Sequence, residues 1–409
     1  MREDLVMPAD TIPAAGSESG VAIMDRRLVL ILAIACAISV GNLYYIQPML
    51  ADMGRSFAVS VDQIGFIATL GQLGYAAGML LIVPLGDSYN QRTLIVITLV
   101  VIIFALVAMA LAPTLALLAL ASFLVGVTTV VPQLIVPFAA SLAPAKSRGQ
   151  VVGTVMSGLL IGILLARTVS GFVSAHLGWR AMYLIAAILM AVLAVLMRFL
   201  LPSDPAPKSR MSYPQLLRSL WGLLRTEPVL RETSVFGAMV FGAFSAFWVI
   251  LSFRLETPPY HLGSEVAGLF GLVGVVGALA ASVVGKLTDR MEARTITGLA
   301  MIITLLSFVV MWLTGQWLWG LAIGVILLDL GTQSNQISNQ SRIYSLRPEV
   351  RNRLNTLYMT SYFLGGSLGS AVGTYGWSGG GWAGFCVGAS LLVLIALGLY
   401  VFNNRRARA

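Results

Sequence analysis

Asp329 stands near the middle of the apolar run 317–340, and Gln333, Gln336 and Gln340 follow it at helical spacing with Asn335 and Asn339 beside them. An ionisable side chain at the centre of a bilayer costs about 2.5–3.5 kcal/mol on insertion scales, so each one requires a reason. A row of amides facing lipid would be intolerable, so this helix is expected to border a wet cavity or another helix. Three roles are open to Asp329: taking up and releasing a proton, anchoring a structural hydrogen-bond network, or binding a solute directly. Proton coupling leads. The second intramembrane charge is Arg167 in the run 150–174. It lies roughly 25 Å along that helix at 1.5 Å per residue, which places it in the outer half. Its guanidinium can bind an anionic solute, pair with a carboxylate or snorkel to the outer headgroups.

Catalytic chemistry has little to draw on. The two histidines, His176 and His261, fall in outer loops. No His-Glu-x-x-His, nucleophile elbow or phosphate-cradling loop occurs, so no enzyme is expected. The two cysteines, Cys36 and Cys386, sit in apolar segments as core filler, with no metal spacing. With no nucleotide-binding segment and no cofactor called for, active transport would draw on an ion gradient, a proton gradient first.

The elements holding these residues are membrane helices. Apolar residues make up 58% of the chain and charged residues 11%, less than half the charge of an average soluble domain. Runs of about 20 apolar residues recur, each long enough to cross about 30 Å of hydrocarbon. Twelve are expected, near 28–49, 62–84, 93–111, 115–142, 150–174, 181–200, 232–253, 263–285, 295–314, 317–340, 353–375 and 382–402. The halves repeat at an offset of about 203 residues: Asp87 matches Asp289, Pro144 matches Pro348, and Gly178-Trp179 matches Gly381-Trp382. Six crossings per half make the copies parallel and leave a seam near the midplane where a solute can be held. The fold class is all-α, with two parallel six-helix bundles at 28–200 and 232–402. A tail at 1–27, a linker at 201–231 and a basic tail at 403–409 complete the chain.

The net charge of +9 is distributed as membrane topology requires. With the amino terminus in the cytoplasm, only Arg55, Arg180 and Arg254 of the 26 Lys and Arg fall outside, and Arg167 lies within a crossing. This positive-inside pattern puts both termini in the cytoplasm of a bacterial inner membrane. A nucleic-acid footprint would instead gather its basic residues on one face of a folded domain. The expected partners are the bilayer and a small-molecule substrate, and the expected state is a monomer. Residues 1–24 are polar and unlike a signal peptide; they read as a flexible tail or as lying upstream of the real start.

In the linker, LPSDPAPKSR would not continue a helix. The following Leu216, Leu217, Leu220, Trp221 and Leu224 share a helical face. An amphipathic helix on the cytoplasmic leaflet is expected there, with Trp221 at headgroup depth, tethering the halves or docking a regulator. Small residues form stripes at Thr154, Gly158, Gly162, Ala166 and Ser170; at Gly74 and Gly78; at Gly274, Ala278 and Ser282; and at Ser361, Gly365, Gly369 and Gly373. Such stripes let helices approach closely in lipid. Their recurrence in the second and fifth crossings of each half points to an interface between halves that slides or rocks.

The loops after the second crossing of each half carry a recognisable motif. Gly285, Asp289, Arg290 and Arg294 match Gly-x-x-x-Asp-Arg-x-Gly-Arg; in the first copy Asp87 and Arg92 stand while Val83 and Ser88 depart from it. On these residues the chain resembles the major facilitator superfamily over nearly all of 28–402. An aspartate just past a helix end can accept from a neighbouring helix's amino-terminal amides or pair with arginine, latching the cytoplasmic side shut. The segments Asn42–Leu50, Leu164–Gly171 and Ser338–Tyr344 are similar to a bacterial group of efflux permeases related to the twelve-helix drug–proton antiporters. The Gly-Pro pair common in helix 5 of those antiporters is absent, since no proline lies between 145 and 201. The resemblance implies a cavity lined by crossings 1, 4, 7 and 10. The candidates there are Asn42, Tyr45, Gln47, Gln133, Phe244, Trp248, Asp329, Gln333 and Gln336, with Phe241 and Phe247 either stacking on a planar solute or packing. Gln72 is a further candidate. The expected function is proton-coupled efflux of a small organic solute by alternating access. Import of a sugar or metabolite is the alternative, and a transporter-like receptor ranks below both.

Overall fold

The computed structural model describes residues 25–144, 146–202, 212–287, 291–347 and 350–408. The tail to Met24, the linker stretch 203–211, Asp289, Arg290 and Pro348 lie outside the described residues, as does the side chain of Asp87. Fourteen helices follow in order: α1 Arg26–Tyr44, α2 Ile46–Phe57, α3 Val61–Leu81, α4 Gln91–Leu111, α5 Leu115–Thr128, α6 Val131–Leu142 and α7 Arg148–Leu177 in the first half. Then come α8 Trp179–Leu200, α9 Tyr213–Thr226, α10 Pro228–Glu256, α11 Ser264–Leu287, α12 Ala293–Thr314, α13 Leu318–Tyr344 and α14 Arg351–Arg408. Among the described residues, nine helical spans are long and apolar enough to cross a membrane. One of them, Arg351–Arg405, doubles back at Gly380 and Gly381 and supplies two crossings. Adding α11 and the more polar α13 completes the twelve.

Proline decides where two crossings break. Pro48 offers no N–H to the Tyr44 carbonyl and its ring crowds it, so α1 stops at Tyr44 and α2 resumes at Ile46. Pro132 does the same to Thr128, dividing α5 from α6, and the freed hydroxyls of Thr128 and Thr129 turn back onto the carbonyls of Leu124 and Val125. Helix starts are capped by polar residues: Gln63 Oε1 accepts from the Ser60 amide and Gln215 Oε1 from the Ser212 amide. The repeated Gly-Trp pair has a backbone cause. Gly178 has φ 83° and ψ 153°, Gly381 has φ 56° and ψ −142°, and both conformations are essentially closed to residues with a Cβ. Each glycine turns the fifth crossing of its half into the sixth.

Within the first half α1 packs on α7, α3 on α5 and α4 on α8; within the second, α10 packs on α14, and α13 on both α11 and α12. The halves meet along two lines, α7 against α11 and α3 against α14. These are the second and fifth crossings of each half, the pairs singled out by their small residues, but the stripes themselves do not form the seam. Gly158 and Gly162 face the Ala33 and Ala37 backbone of α1, Gly74 and Gly78 face α5, and Gly365 and Gly369 face α10. Each close approach tightens one bundle. The seam is made by other residues: Gly171 against Ser264 and Gly268, Gly65 against Thr374, Thr168 Oγ1 donating to the Gly268 carbonyl at 3.0 Å, and Ser367 Oγ donating to the Thr69 carbonyl at 3.1 Å. Outward faces stay apolar and exposed, as at Phe104, Ile188 and Phe199, where lipid would lie.

Candidate functional site

The polar row on α13 divides between two neighbours. Asn335 and Asn339 turn toward α12, where Asn339 Nδ2 donates to Asn335 Oδ1 at 3.0 Å and Thr297 Oγ1 donates to Asn339 Oδ1 at 3.3 Å. Asp329, Gln333 and Gln336 line a central cavity of about 100 Å³. Gln340, a turn further on, reaches Asn355 at 3.4 Å. A single row in the sequence is thus half structural cement and half cavity wall.

Arg167 lines that same cavity. It is 1% exposed and does not snorkel. Its Nε donates to Gln47 Oε1 at 2.7 Å, and its guanidinium lies 3.8 Å from the Trp248 ring centroid, with Tyr44 at 5.0 Å and Phe244 at 5.6 Å. Nη2 of Arg167 and Oδ2 of Asp329 are both buried without a hydrogen-bond partner. Among the described residues no hydrogen bond or ion pair joins them. Glycines on α11 set this arrangement: a Cβ at Gly271 would lie 3.1 Å from Arg167 Cβ, and one at Gly274 would lie 3.0 Å from Asp329 Oδ2. Gly271 and Gly274 are neighbours on one face of α11, so this helix packs against the stem of Arg167 and the carboxylate of Asp329 together.

Of the other expected cavity residues, Gln133, Phe244, Gln333 and Gln336 reach it. Gln133 Nε2 donates to Tyr75 Oη at 3.2 Å, and Tyr362 Oη donates to Gln336 Oε1 at 3.4 Å. Four candidates stand elsewhere. Asn42 and Gln47 border a small pocket between α1, α3 and α5, where Asn42 Nδ2 donates to the Ser39 carbonyl at 3.1 Å and to Met190 Sδ at 3.3 Å; Gln72 joins them there. Gln47 therefore acts through Arg167, and Trp248 stands behind the guanidinium. Tyr45, at the α1–α2 break, turns back beside Gly41, while its neighbour Tyr44 faces the cavity.

Of the aromatic wall, Phe241 and Phe244 were expected from the sequence, whereas Tyr362 and Phe363 were passed over. Tyr362 stacks on Phe241 at 3.9 Å and Phe363 lies 4.1 Å from Tyr75, joining the first leg of α14 to α10 and α3. The signal was there: Tyr362 and Phe363 directly precede the glycines of α14.

The cavity's two ends differ. On the face where both described chain ends lie, a larger cavity of about 470 Å³ shares Gln133 with the central one and is bordered by Gln91, Tyr344, Arg351 and the linker-helix residues Leu216 and Leu220. The linker helix α9 turns Leu216, Leu220 and Leu223 toward the protein, leaves Trp221 exposed, and ties to α3 through Tyr213 Oη donating to the Leu81 carbonyl at 2.9 Å. On the opposite face Arg55 of α2 pairs with both Asp52 and Glu256 of α10, clasping one half to the other.

The loop-motif residues that are described bind within their own half. Arg92 donates to the Arg198 carbonyl, and Arg294 pairs with Glu232 at 2.7 Å, where Arg342 and Asn403 also converge. These contacts brace single bundles; the aspartates expected to latch the cytoplasmic side, Asp87 by its side chain and Asp289, lie outside the described residues. Gly285 belongs to the end of α11.

Comparison with known proteins agrees with this architecture. The sequence profile described as Major Facilitator Superfamily matches residues 32–370. "Uncharacterized transporter YgaY" of Escherichia coli O157:H7 is 40% identical over 374 residues, covering 91% of this chain and 95% of that one. "Probable transporter SCO4007" of Streptomyces coelicolor is 33% identical over 384 residues, covering 93% and 88%. The "Probable sugar efflux transporter" of Pasteurella multocida is 22% identical, covering 92% of each. Among solved structures, a bacterial homolog to the human lysosomal transporter Spinster matches with a TM-score of 0.75 at 16% identity, covering 95% of this chain and 98% of that one. The nucleoside transporter NupG matches with a TM-score of 0.75 at 14% identity, covering 92% and 99%. Two six-crossing halves around a polar midplane cavity, the profile match and the relatives lead to one conclusion: this chain belongs to the major facilitator superfamily of membrane transporters.

Proposed function

We propose that this protein is a secondary active transporter that exports a small organic solute in exchange for protons, with Asp329 as the proton carrier. The observation behind this reading is the buried Asp329 carboxylate with its unpartnered Oδ2 on the wall of a cavity that also holds Arg167. A carboxyl group out of water and without a fixed counter-ion can change its protonation state as solute and water come and go. The larger cavity beside the chain ends and the ion-paired clasp on the opposite face fit one of the two states that alternating access requires. With the ends in the cytoplasm, as the Lys and Arg distribution implies, that state is open inward, in a bacterial inner membrane. Likeness to drug–proton antiporters and to a relative named for sugar efflux favours export.

The test begins with a thermal-shift screen of purified protein against antibiotics, sugars and amino acids. A stabilising solute is then followed in proteoliposomes under an imposed pH gradient. Wild type is expected to accumulate it, whereas Asp329→Asn should exchange it down its own gradient without accumulation. Accumulation by Asp329→Asn would remove Asp329 from proton coupling.

A further inference from the structure

Two opposite charges share the central cavity and leave each other unsatisfied. Arg167 spends Nε on Gln47 and sets its guanidinium over the Trp248 ring, yet Nη2 has no hydrogen-bond partner; Asp329 Oδ2 has none either. A charge left alone away from water is costly, and the simplest relief would be a direct ion pair. That relief is not taken: Gln47 and Trp248 hold the guanidinium, while the Asp329 carboxylate lies against Gly274 of α11. What satisfies both ends is a ligand that brings an anionic and a cationic group together.

The rest of the wall describes the ligand's body. Phe241, Phe244, Tyr362 and Phe363 offer ring faces, with Gln333 and Gln336 as the nearby amides. A cavity of about 100 Å³ holds roughly seven to ten water-sized groups at about 10–15 Å³ each, the scale of an amino acid rather than of a large drug. We infer that the substrate is a small zwitterion with an apolar or aromatic body, its carboxylate on Arg167 and its ammonium on Asp329, its body against the rings of α10 and α14. Arg167 meets a carboxylate through a planar pair of donors, and Asp329 supplies the acceptor that an ammonium needs. The inference rests on the transport reading above and deepens it: the solute's ammonium and the transported proton occupy the same carboxylate.

Binding to purified detergent-solubilised protein tests it without any gradient. Phenylalanine and tryptophan are the zwitterionic probes; 2-phenylethylamine keeps the cation alone and 3-phenylpropionate the anion alone. Wild type is expected to bind a zwitterion tighter than either analogue by on the order of tenfold. Arg167→Gln should erase the advantage over the amine and leave that over the acid; Asp329→Asn should do the reverse. If either single-charge analogue binds as tightly as the zwitterions, or if none of the four binds, the assignment is overturned. Should a variant fail to fold, the four wild-type affinities decide alone. Preference for the bare cation would defeat the zwitterion while leaving proton-driven transport standing. A zwitterion that binds as expected but is not driven by a pH gradient would defeat coupling and leave the substrate class intact.

Discussion

The guanidinium of Arg167 lies 3.8 Å from the ring of Trp248, and the two residues come from opposite halves of the molecule, α7 and α10. A charge anchored in the first half by Gln47 is therefore stabilised by an aromatic face of the second. Any rocking of the halves about the midplane must act on this contact. A desolvated cation–π pair is worth about 2 kcal/mol or more, enough to weigh one state against another.

Replacing Trp248 by Ala should cost about 3–5 kcal/mol through the lost ring and the void it leaves, and Trp248→Phe clearly less because a ring face remains. Thermal melting of the two variants in detergent checks the order. Equal losses would show that the ring face retained by Phe contributes nothing at this position.

Gln47 is expected to act on solute binding without touching solute. Gln47→Leu leaves the Arg167 Nε without an acceptor and should destabilise by about 1–3 kcal/mol. Gln47→Glu supplies a competing carboxylate and should hold the protein together while weakening carboxylate-bearing solutes. Affinity measured alongside melting temperature separates these outcomes, since a purely structural role would move both in step.

Glu232 gathers Arg294, Arg342 and Asn403 at the end of the second bundle. It is half-buried, so the cost of Glu232→Ala falls below that of a fully buried pair, at about 1–3 kcal/mol. Because all four residues belong to one half, stability should fall in urea or thermal denaturation while the balance between open states holds.

Glu256 is expected to behave in the opposite way. Glu256→Gln removes the Arg55 contact across the seam, at an exposed pair worth about 1 kcal/mol at most. A shift of that size should raise labelling of a cysteine placed at Thr168, on the same seam, by about fivefold with an impermeant maleimide. Both native cysteines are buried, so the background is low. An unchanged rate would mean that the clasp does not hold the seam closed.

At the repeated turn, Gly178→Ala and Gly381→Ala should each cost about 1–3 kcal/mol, since both glycines occupy backbone conformations unfavourable to alanine. Gly149→Ala, with open space around it, is the control and should be near neutral or slightly stabilising in the same melts.

Much of this architecture was legible from spacing and composition. Twelve crossings follow from the length of apolar runs, since hydrocarbon thickness dictates it, and the duplicate register from Asp87, Gly178 and their partners 202 and 203 residues later. Asp329 and Arg167 stood out because charge in lipid is costly. The glycine stripes were misleading in one respect. A small residue reports that something comes close; it does not report whether the neighbour belongs to the same bundle, as Ala33 does for Gly158, or to the other. Tyr44 and Tyr45 are neighbours in the sequence, and only the packed structure separates Tyr44 on the cavity wall from Tyr45 beside Gly41.

By itself, then, the sequence determined that this protein lives in a membrane, how often the chain crosses it, and which charges need an explanation. These are properties of single segments against a solvent. The tertiary structure decided that Arg167 and Asp329 open onto one cavity without pairing, that Gln47 and Trp248 hold the arginine, and that Leu216 and Leu220 of α9 border the larger cavity. Those relationships depend on helices far apart in the chain. Their angles are set by proline breaks and glycine contacts whose partners no local pattern names.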